Sequence, residues 1–196
     1  MYHKEGLIEV LEDLISPNQT TFIPNRSIAE NVLLAQEVKN YHKSGGKARC
    51  TMKVDLMKAY DSVNWDFALH GLCCFGMLGK FVSWVRECIT SPQFSMAVNG
   101  TLVGYFEGKR GFRQGDPLSP YLFVLFMEVL SSLLAECVVK NEGFGYHHHC
   151  FKVGFTHLCF ADDLLIFSEA SVRSVSAIQK VLSEFESLSG LKANPD

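Results

Sequence analysis

The chain has 196 residues, 47% of them apolar, which suits one domain with a sizeable core. Its net charge of −3 excludes a strongly basic field and counts against a complete, tight nucleic-acid binder. Seven scattered cysteines, odd in number and without a C-x-x-C pair, exclude a disulfide framework and a zinc module and fit a reduced intracellular setting.

The N-terminus is mixed and charged, so no signal peptide is read there. Lys4 to Ile15 reads as a short amphipathic helix, with Leu7, Ile8, Leu11, Leu14 and Ile15 to one side and Pro17 ending it. Gln19 to Pro24 is expected to be extended. Ser27-Ile-Ala-Glu30 is a capping box, and a helix follows to about His42, before Gly45-Gly46 breaks the chain. Cys50 to Leu56 alternates loosely and predicts a strand ending in Asp55. Asn64 caps a helix predicted from Trp65 to Phe75, and beyond Gly76 and Gly79 another runs from Lys80 to Ile89. Phe94 to Val98 and Leu102 to Phe106 flank Asn99-Gly100, a strong two-residue hairpin signal. A loop rich in Gly and Arg, Gly108 to Gly115, leads to Asp116-Pro117, which opens a helix running to about Lys140.

Pro117 to Val139 invites comparison with a membrane span. Its longest uncharged stretch, Pro117 to Met127, falls short of the roughly 20 residues a bilayer needs. Glu128 and Glu136 interrupt the rest, so a buried core helix and no membrane partner are expected. Residues 141–150 read as loop. His147-His148-His149-Cys150 has zinc-ligand residue types, but consecutive residues rarely converge on one metal. Ser171 to Leu188 is a last helix stopped by Gly190, and Leu191 to Asp196 begins an extended piece. Strands and helices alternate irregularly, with two hairpins. This predicts an α+β fold, with a mostly antiparallel sheet and helices packed on one face.

The second hairpin carries the chemistry. Leu158, Cys159 and Phe160 precede Asp162-Asp163, and Leu164, Leu165, Ile166 and Phe167 follow, which suits two buried strands with the acids at the tip of a tight turn. Neighbouring carboxylates in an apolar setting need a proton, a basic partner or a divalent metal. Asp also suits a turn on local grounds, so a polar hairpin tip and a metal site both stand. Asp55 reads alone as a helix cap. Taken with the pair it offers three carboxylates on strand ends, the donor set that magnesium shares with substrate phosphates in phosphoryl transfer. A P-loop enzyme is a poor alternative: Gly104-Tyr-Phe-Glu-Gly-Lys-Arg110 has the wrong spacing for the phosphate loop.

Three pieces then occur in order: Lys53-Val-Asp-Leu-Met-Lys-Ala-Tyr-Asp-Ser-Val-Asn-Trp65, Gly111-Phe-Arg-Gln-Gly-Asp-Pro-Leu-Ser-Pro-Tyr-Leu-Phe123, and Phe160-Ala-Asp-Asp163. Together they closely resemble the reverse transcriptases of LINE-type (non-LTR) retrotransposons, the plant elements in particular. Gln19-Thr-Thr-Phe-Ile-Pro-Asn-Arg-Ser-Ile28 and Ser189-Gly-Leu-Lys-Ala-Asn194 are similar to the same family, so the likeness covers nearly the whole chain from about residue 9.

The resemblance implies a right-hand polymerase palm over about residues 51–196, partial fingers over about 1–50 and no thumb. It implies RNA-directed DNA polymerase activity: two Mg2+ ions, or Mn2+ in their place, serving transfer of dNTPs to the 3′ hydroxyl of a DNA primer on an RNA template. Asp55 and Asp162 would be the principal metal ligands and Asp163 the adjacent acid. Tyr60 would lie under the incoming sugar and exclude a 2′ hydroxyl; by residue type alone it is equally a core tyrosine. Gln114 and Gly115 would touch nucleotide and template, since glycine permits close approach and glutamine both donates and accepts. Arg113 and Arg110 would meet phosphates, or simply make a solvated basic loop.

Arg26 would hold template or triphosphate. The family's Pro-Gly-Arg is Pro24-Asn25-Arg26 here, and asparagine tolerates a left-handed backbone, so the turn is expected to survive. Lys192 and Asn194 match the start of the family's next motif. The opening fingers motif, the primer-gripping hairpin, the thumb and any endonuclease are not among these residues. Weak or undetectable synthesis is therefore expected of the isolated chain, and a non-catalytic remnant or RNA-binding fragment is the alternative. An intron maturase fits the flanking residues less well. No obligate protein partner is evident, no targeting signal is seen, and the retrotransposon reading implies a nuclear location.

Overall fold

The structure, a computed structural model, describes residues 2–40, 48–140, 142–151 and 154–194. Two helices come first, α1 (Tyr2–Leu14) and α2 (Ile28–Asn40), then strand β1 (Arg49–Asp55). Three helices follow, α3 (Ala59–Ser62), α4 (Trp65–Cys74) and α5 (Gly79–Thr90), and then the hairpin β2 (Gln93–Val98) and β3 (Thr101–Glu107). Helix α6 (Ser119–Val139), the hairpin β4 (His157–Phe160) and β5 (Asp163–Glu169), and helix α7 (Val172–Ser189) complete the order.

Local chemistry sets most of these ends. The Asn64 side chain accepts from the N–H groups of Asp66 (2.8 Å) and Phe67 (3.3 Å), opening α4. Ser171 caps α7 by accepting from Ser174 N–H, and Gly190, at φ 77°, ends it. Asn99 and Gly100 both have positive φ, as a two-residue type I′ hairpin requires. Asp116 Oδ1 accepts from Leu118 N–H at 2.7 Å, and α6 starts at Ser119, slightly later than expected.

The main sheet is antiparallel, in the order β1-β5-β4. Alternation sends Val54, Cys159, Leu164 and Ile166 into the main core with residues of α4, α6 and α7. The intervening Leu158 and Phe167 face the other way and meet Val38 of α2. The α+β class is as expected, and α2 adds a helix to the face opposite α6 and α7. Helix α6 is long and apolar enough to cross a membrane, yet 11 of its 21 residues are buried in this core. Its Glu128 carboxylate accepts from Ser16 N–H at 3.0 Å, and burial pushes its pKa up. Leu7, Leu11 and Ile15 of the N-terminal segment join the same core.

One local expectation changes. Gln19 pairs with Cys159 in a parallel bridge, but turns at 21–22 and 24–25 break the expected extended run, with Phe22 at φ 63°, and Asn25 takes a left-handed φ of 59° as expected. The cause is Arg26, which gathers carbonyls at the end of α1 and so bends the chain. The short α3, entered through Lys58 at φ 45°, has no sequence signal of its own. His147 is buried, its Nδ1 3.7 Å from Cys150 Sγ, and no metal cluster forms there among the described residues. Burial pushes the Cys150 thiol up to about 11. The expected break at Gly45-Gly46 lies outside the described residues.

His157 ties β4 to α6: its Nε2 lies 2.9 Å from Ser131 Oγ and its Nδ1 2.8 Å from Thr156 Oγ1. Burial lowers its pKa from 6.5 to about 4. The unfolded chain therefore takes up this proton first, and stability is lost as pH falls from 6.5 to about 4. The expected slope from this one group is at most ~1.4 kcal/mol per pH unit. Urea midpoints measured across that window should fall, and His157→Gln should flatten part of the fall.

Candidate active site

Strand pairing places two of the three acids. Asp55, the last residue of β1, stands directly opposite Asp163, the first of β5. Opposed residues of an antiparallel pair share a face, with Cβ atoms about 5 Å apart, and like charges there repel. Lys53 lies two residues earlier on that face, and its Nζ reaches Asp163 Oδ1 at 3.1 Å. Asn194 donates from its side chain to Asp55 Oδ2 (3.4 Å) and from its backbone to the Asp55 carbonyl (2.8 Å). The pair does not sit together at the tip, as the sequence suggested. The two turn residues are Ala161, at φ 56°, and Asp162, while Asp163 already belongs to the strand.

Tyr60 approaches from α3. Its ring stacks on Phe123 with centroids 4.9 Å apart and planes 18° from parallel. The phenol is half-buried, and its pKa is raised first by burial and then by the Asp162 carboxylate. The glycine-rich loop is fastened beside it. Phe112 N–H donates to the Tyr60 carbonyl (2.6 Å), Gly111 N–H to the Val63 carbonyl (2.7 Å), and Trp65 Nε1–H to the Gly111 carbonyl (2.6 Å). Gln114 Nε2 donates to Asp61 Oδ1 at 3.2 Å. Tyr60, Gln114, Gly115 and Ser119 thereby line one recess. Arg110 and Arg113 border a neighbouring groove with Asp61 and Trp65, and both are exposed.

Arg26 turns back onto the end of α1. Its guanidinium donates to the carbonyls of Glu12, Ile15, Ser16 and Gln19, at 2.6 to 3.1 Å. These are the free carbonyls that a helix C-terminus and its exit leave behind. A side chain committed to four backbone acceptors is an anchor for its own segment.

The acids suit a hard divalent cation by their chemistry. Among the described residues no three His, Cys, Asp or Glu side chains stand close enough to cage a metal by themselves.

The model of the family described as reverse transcriptase (RNA-dependent DNA polymerase) matches residues 4–196. The chain belongs to this family. Among curated relatives, the chain is 29% identical over 180 residues to the Pol polyprotein of the type-2 retrotransposable element R2DM of Drosophila melanogaster, covering 92% of this chain and 16% of that protein. It is 26% identical over 166 residues to the Pol polyprotein of a type-1 element R2 of Popillia japonica, covering 85% of this chain and 26% of the relative. The chain spans well under half the length of these retrotransposon relatives. A telomerase of Candida tropicalis, solved with a fragment of telomeric RNA, superposes with a TM-score of 0.68 at 13% identity, over 98% of this chain and 32% of that one. That likeness establishes the right-hand polymerase fold. Divalent metal use is general to the family.

Several residues of the site escaped the sequence reading. Lys53 could have been found from the two-residue period that puts it on the face of Asp55. Asp61 and Trp65 lie inside a recognised motif, but their partners are about 50 residues away (Gln114 and Gly111, separations of 53 and 46). No local signal marks such contacts. Gly111 is the point where loop and helix come closest: a Cβ there would stand 2.7 Å from the Asp61 carbonyl oxygen, at φ 84°. Gly115 has a similar φ of 86° and open space around it. Gly111→Ala should therefore be less stable than Gly115→Ala by about 1–3 kcal/mol, read from urea unfolding of the two variants.

Proposed function

We propose that this domain carries the polymerising site for RNA-directed DNA synthesis, adding deoxynucleotides to the 3′ hydroxyl of a DNA primer on an RNA template. The observation that carries the reading is the strand register: Asp55 faces Asp163, and Asp162 lies in the adjoining turn, where its charge raises the Tyr60 pKa. A pair of Mg2+ ions, with Mn2+ as substitute, supplies when bound the positive charge that favours the attacking alkoxide and neutralises the triphosphate.

The protein's share is positioning and charge. Asp55 and Asp162 hold the cations, with Asp163 as the adjacent acid whose charge Lys53 offsets. The Tyr60 ring, held flat against Phe123, floors the recess where the sugar sits and leaves no room for a 2′ oxygen. Gly115, with open space around its α-carbon, lets the nucleotide approach the backbone, and Gln114 is aligned for it by Asp61. Exposed Arg113 offers charge to template or triphosphate. Residues 1–50 form part of the fingers and 51–196 the palm. A retrotransposon enzyme of this kind works in the nucleus.

Primer extension on poly(rA)/oligo(dT) with Mg2+ tests the reading, with the domain completed by the remaining fingers and the thumb of a related retrotransposon enzyme. Asp55→Asn and Asp162→Asn should each lower the rate by at least ~100-fold, the scale on which preorganised charge acts in a polymerising site. Tyr60→Ala should raise ribonucleotide use relative to deoxynucleotide use. Extension and metal binding unchanged in Asp162→Asn would sink the catalytic reading in favour of a non-catalytic, RNA-binding remnant.

A further inference from the structure

Asp162 follows a strained residue. Ala161 holds φ at 56°, a region that L residues other than Asn and Asp enter at a cost of roughly 1–2 kcal/mol. Such a conformation persists where the surroundings over-determine it. The sheet order leaves β4 at an edge, and the segment leaving α1 is stitched along that edge. Asn18 Nδ2 lies 3.5 Å from His157 Nε2. The Asn18 carbonyl accepts from Cys159 N–H at 2.9 Å. Gln19 Oε1 then accepts from Ala161 N–H at 3.4 Å and from Thr21 N–H at 3.1 Å. Contacts at positions 157, 159 and 161 follow the two-residue period of a strand and run on into the turn.

Gln19 is 1% exposed, so its side-chain oxygen meets these N–H groups away from water. Its backbone carbonyl accepts from Arg26 at 2.7 Å, within the same guanidinium clamp that grips the end of α1. The clamp fixes the Gln19 backbone, and the Gln19 side chain reaches the turn.

We propose that Gln19 is the positioning residue of the aspartate turn. Its side-chain carbonyl holds the Ala161 amide in the left-handed geometry and so sets where the Asp162 carboxylate stands, with Arg26 as its anchor. The role rests on the reading of Asp162 as a metal ligand. Gln19 touches neither substrate nor metal, so its removal acts on the site through the turn.

Mn2+ binding to the chain, followed by electron paramagnetic resonance, separates this role from simple packing. Gln19→Met keeps the side-chain length and removes the acceptor. It should weaken Mn2+ binding by about fivefold, the worth of one ordinary hydrogen bond. Adding Ala161→Gly makes positive φ free of strain and should restore at least half of the lost affinity. Full wild-type affinity in Gln19→Met overturns the proposal, and if Asp162→Asn still abolishes binding, the metal-site reading survives it. Weakened binding that Ala161→Gly does not rescue means general loss of packing and also overturns it. A wild-type chain that binds no Mn2+, or an Asp162→Asn chain that binds it normally, overturns the metal-site reading and this role together. Should Gln19→Met fail to fold, Gln19→Asn, one methylene shorter, takes its place with the same rescue required.

Discussion

Two of the three acids of the candidate site, Asp55 and Asp163, are placed by the hydrogen-bond register between β1 and β5, in which seven residue pairs run without a bulge from Arg49–Glu169 to Asp55–Asp163. A one-residue slip of β1 would turn Val54 out of the core and Asp55 into it, and a slip of β5 would turn Leu164 and Ile166 out and Asp163 in. Burying those three apolar side chains is worth roughly 1.5–3 kcal/mol each, so the core itself enforces the register that assembles the acids. The adjacency of Asp55 and Asp163 costs something in return. Opposed like charges destabilise a strand pair by tenths of a kilocalorie to about 1 kcal/mol. The Lys53 contact offsets part of that, and its exposed geometry keeps the offset small.

The helices secure the register from behind. Helix α6 contributes Phe123, which is fully buried and carries the Tyr60 ring. The same helix holds β4 through Ser131 and His157, and holds the exit of α1 through Glu128. Its long apolar run is thus explained by burial on several sides. Its Glu128 and Ser131 serve the two segments, residues 16–19 and β4, that frame the aspartate turn.

The glycine-rich loop depends on α3 in the same way. Backbone hydrogen bonds from Gly111 and Phe112 to Val63 and Tyr60, shorter than 2.8 Å, bring Gln114 beside Asp61. Helix α3 has four residues and little stability of its own. The loop and the C-terminal segment support it from both sides: Asn64 N–H donates to the Ser189 carbonyl, and Met57 N–H to the Lys192 carbonyl. Tyr60 is therefore positioned by residues from three distant parts of the chain.

Local chemistry made much of this legible in the sequence. The Asn64 cap, the Asn99-Gly100 turn, the Gly190 stop, the alternation of β1 and the apolar helix from Ser119 are written in neighbouring residues, because caps, turns and periodicity act over a few positions. The motifs around Asp55, Gln114 and Asp162 identified the family for the same reason. What only the tertiary structure decided lies in contacts between residues far apart in sequence. Asp163 meets Asp55 across a strand pair instead of sharing the tip with Asp162. Arg26 turns back onto α1 carbonyls, and Gln19 reaches Ala161 over 142 positions. A single sequence carries no local trace of such partners, because their hydrogen bonds depend on which strand edge is left open once the core has closed.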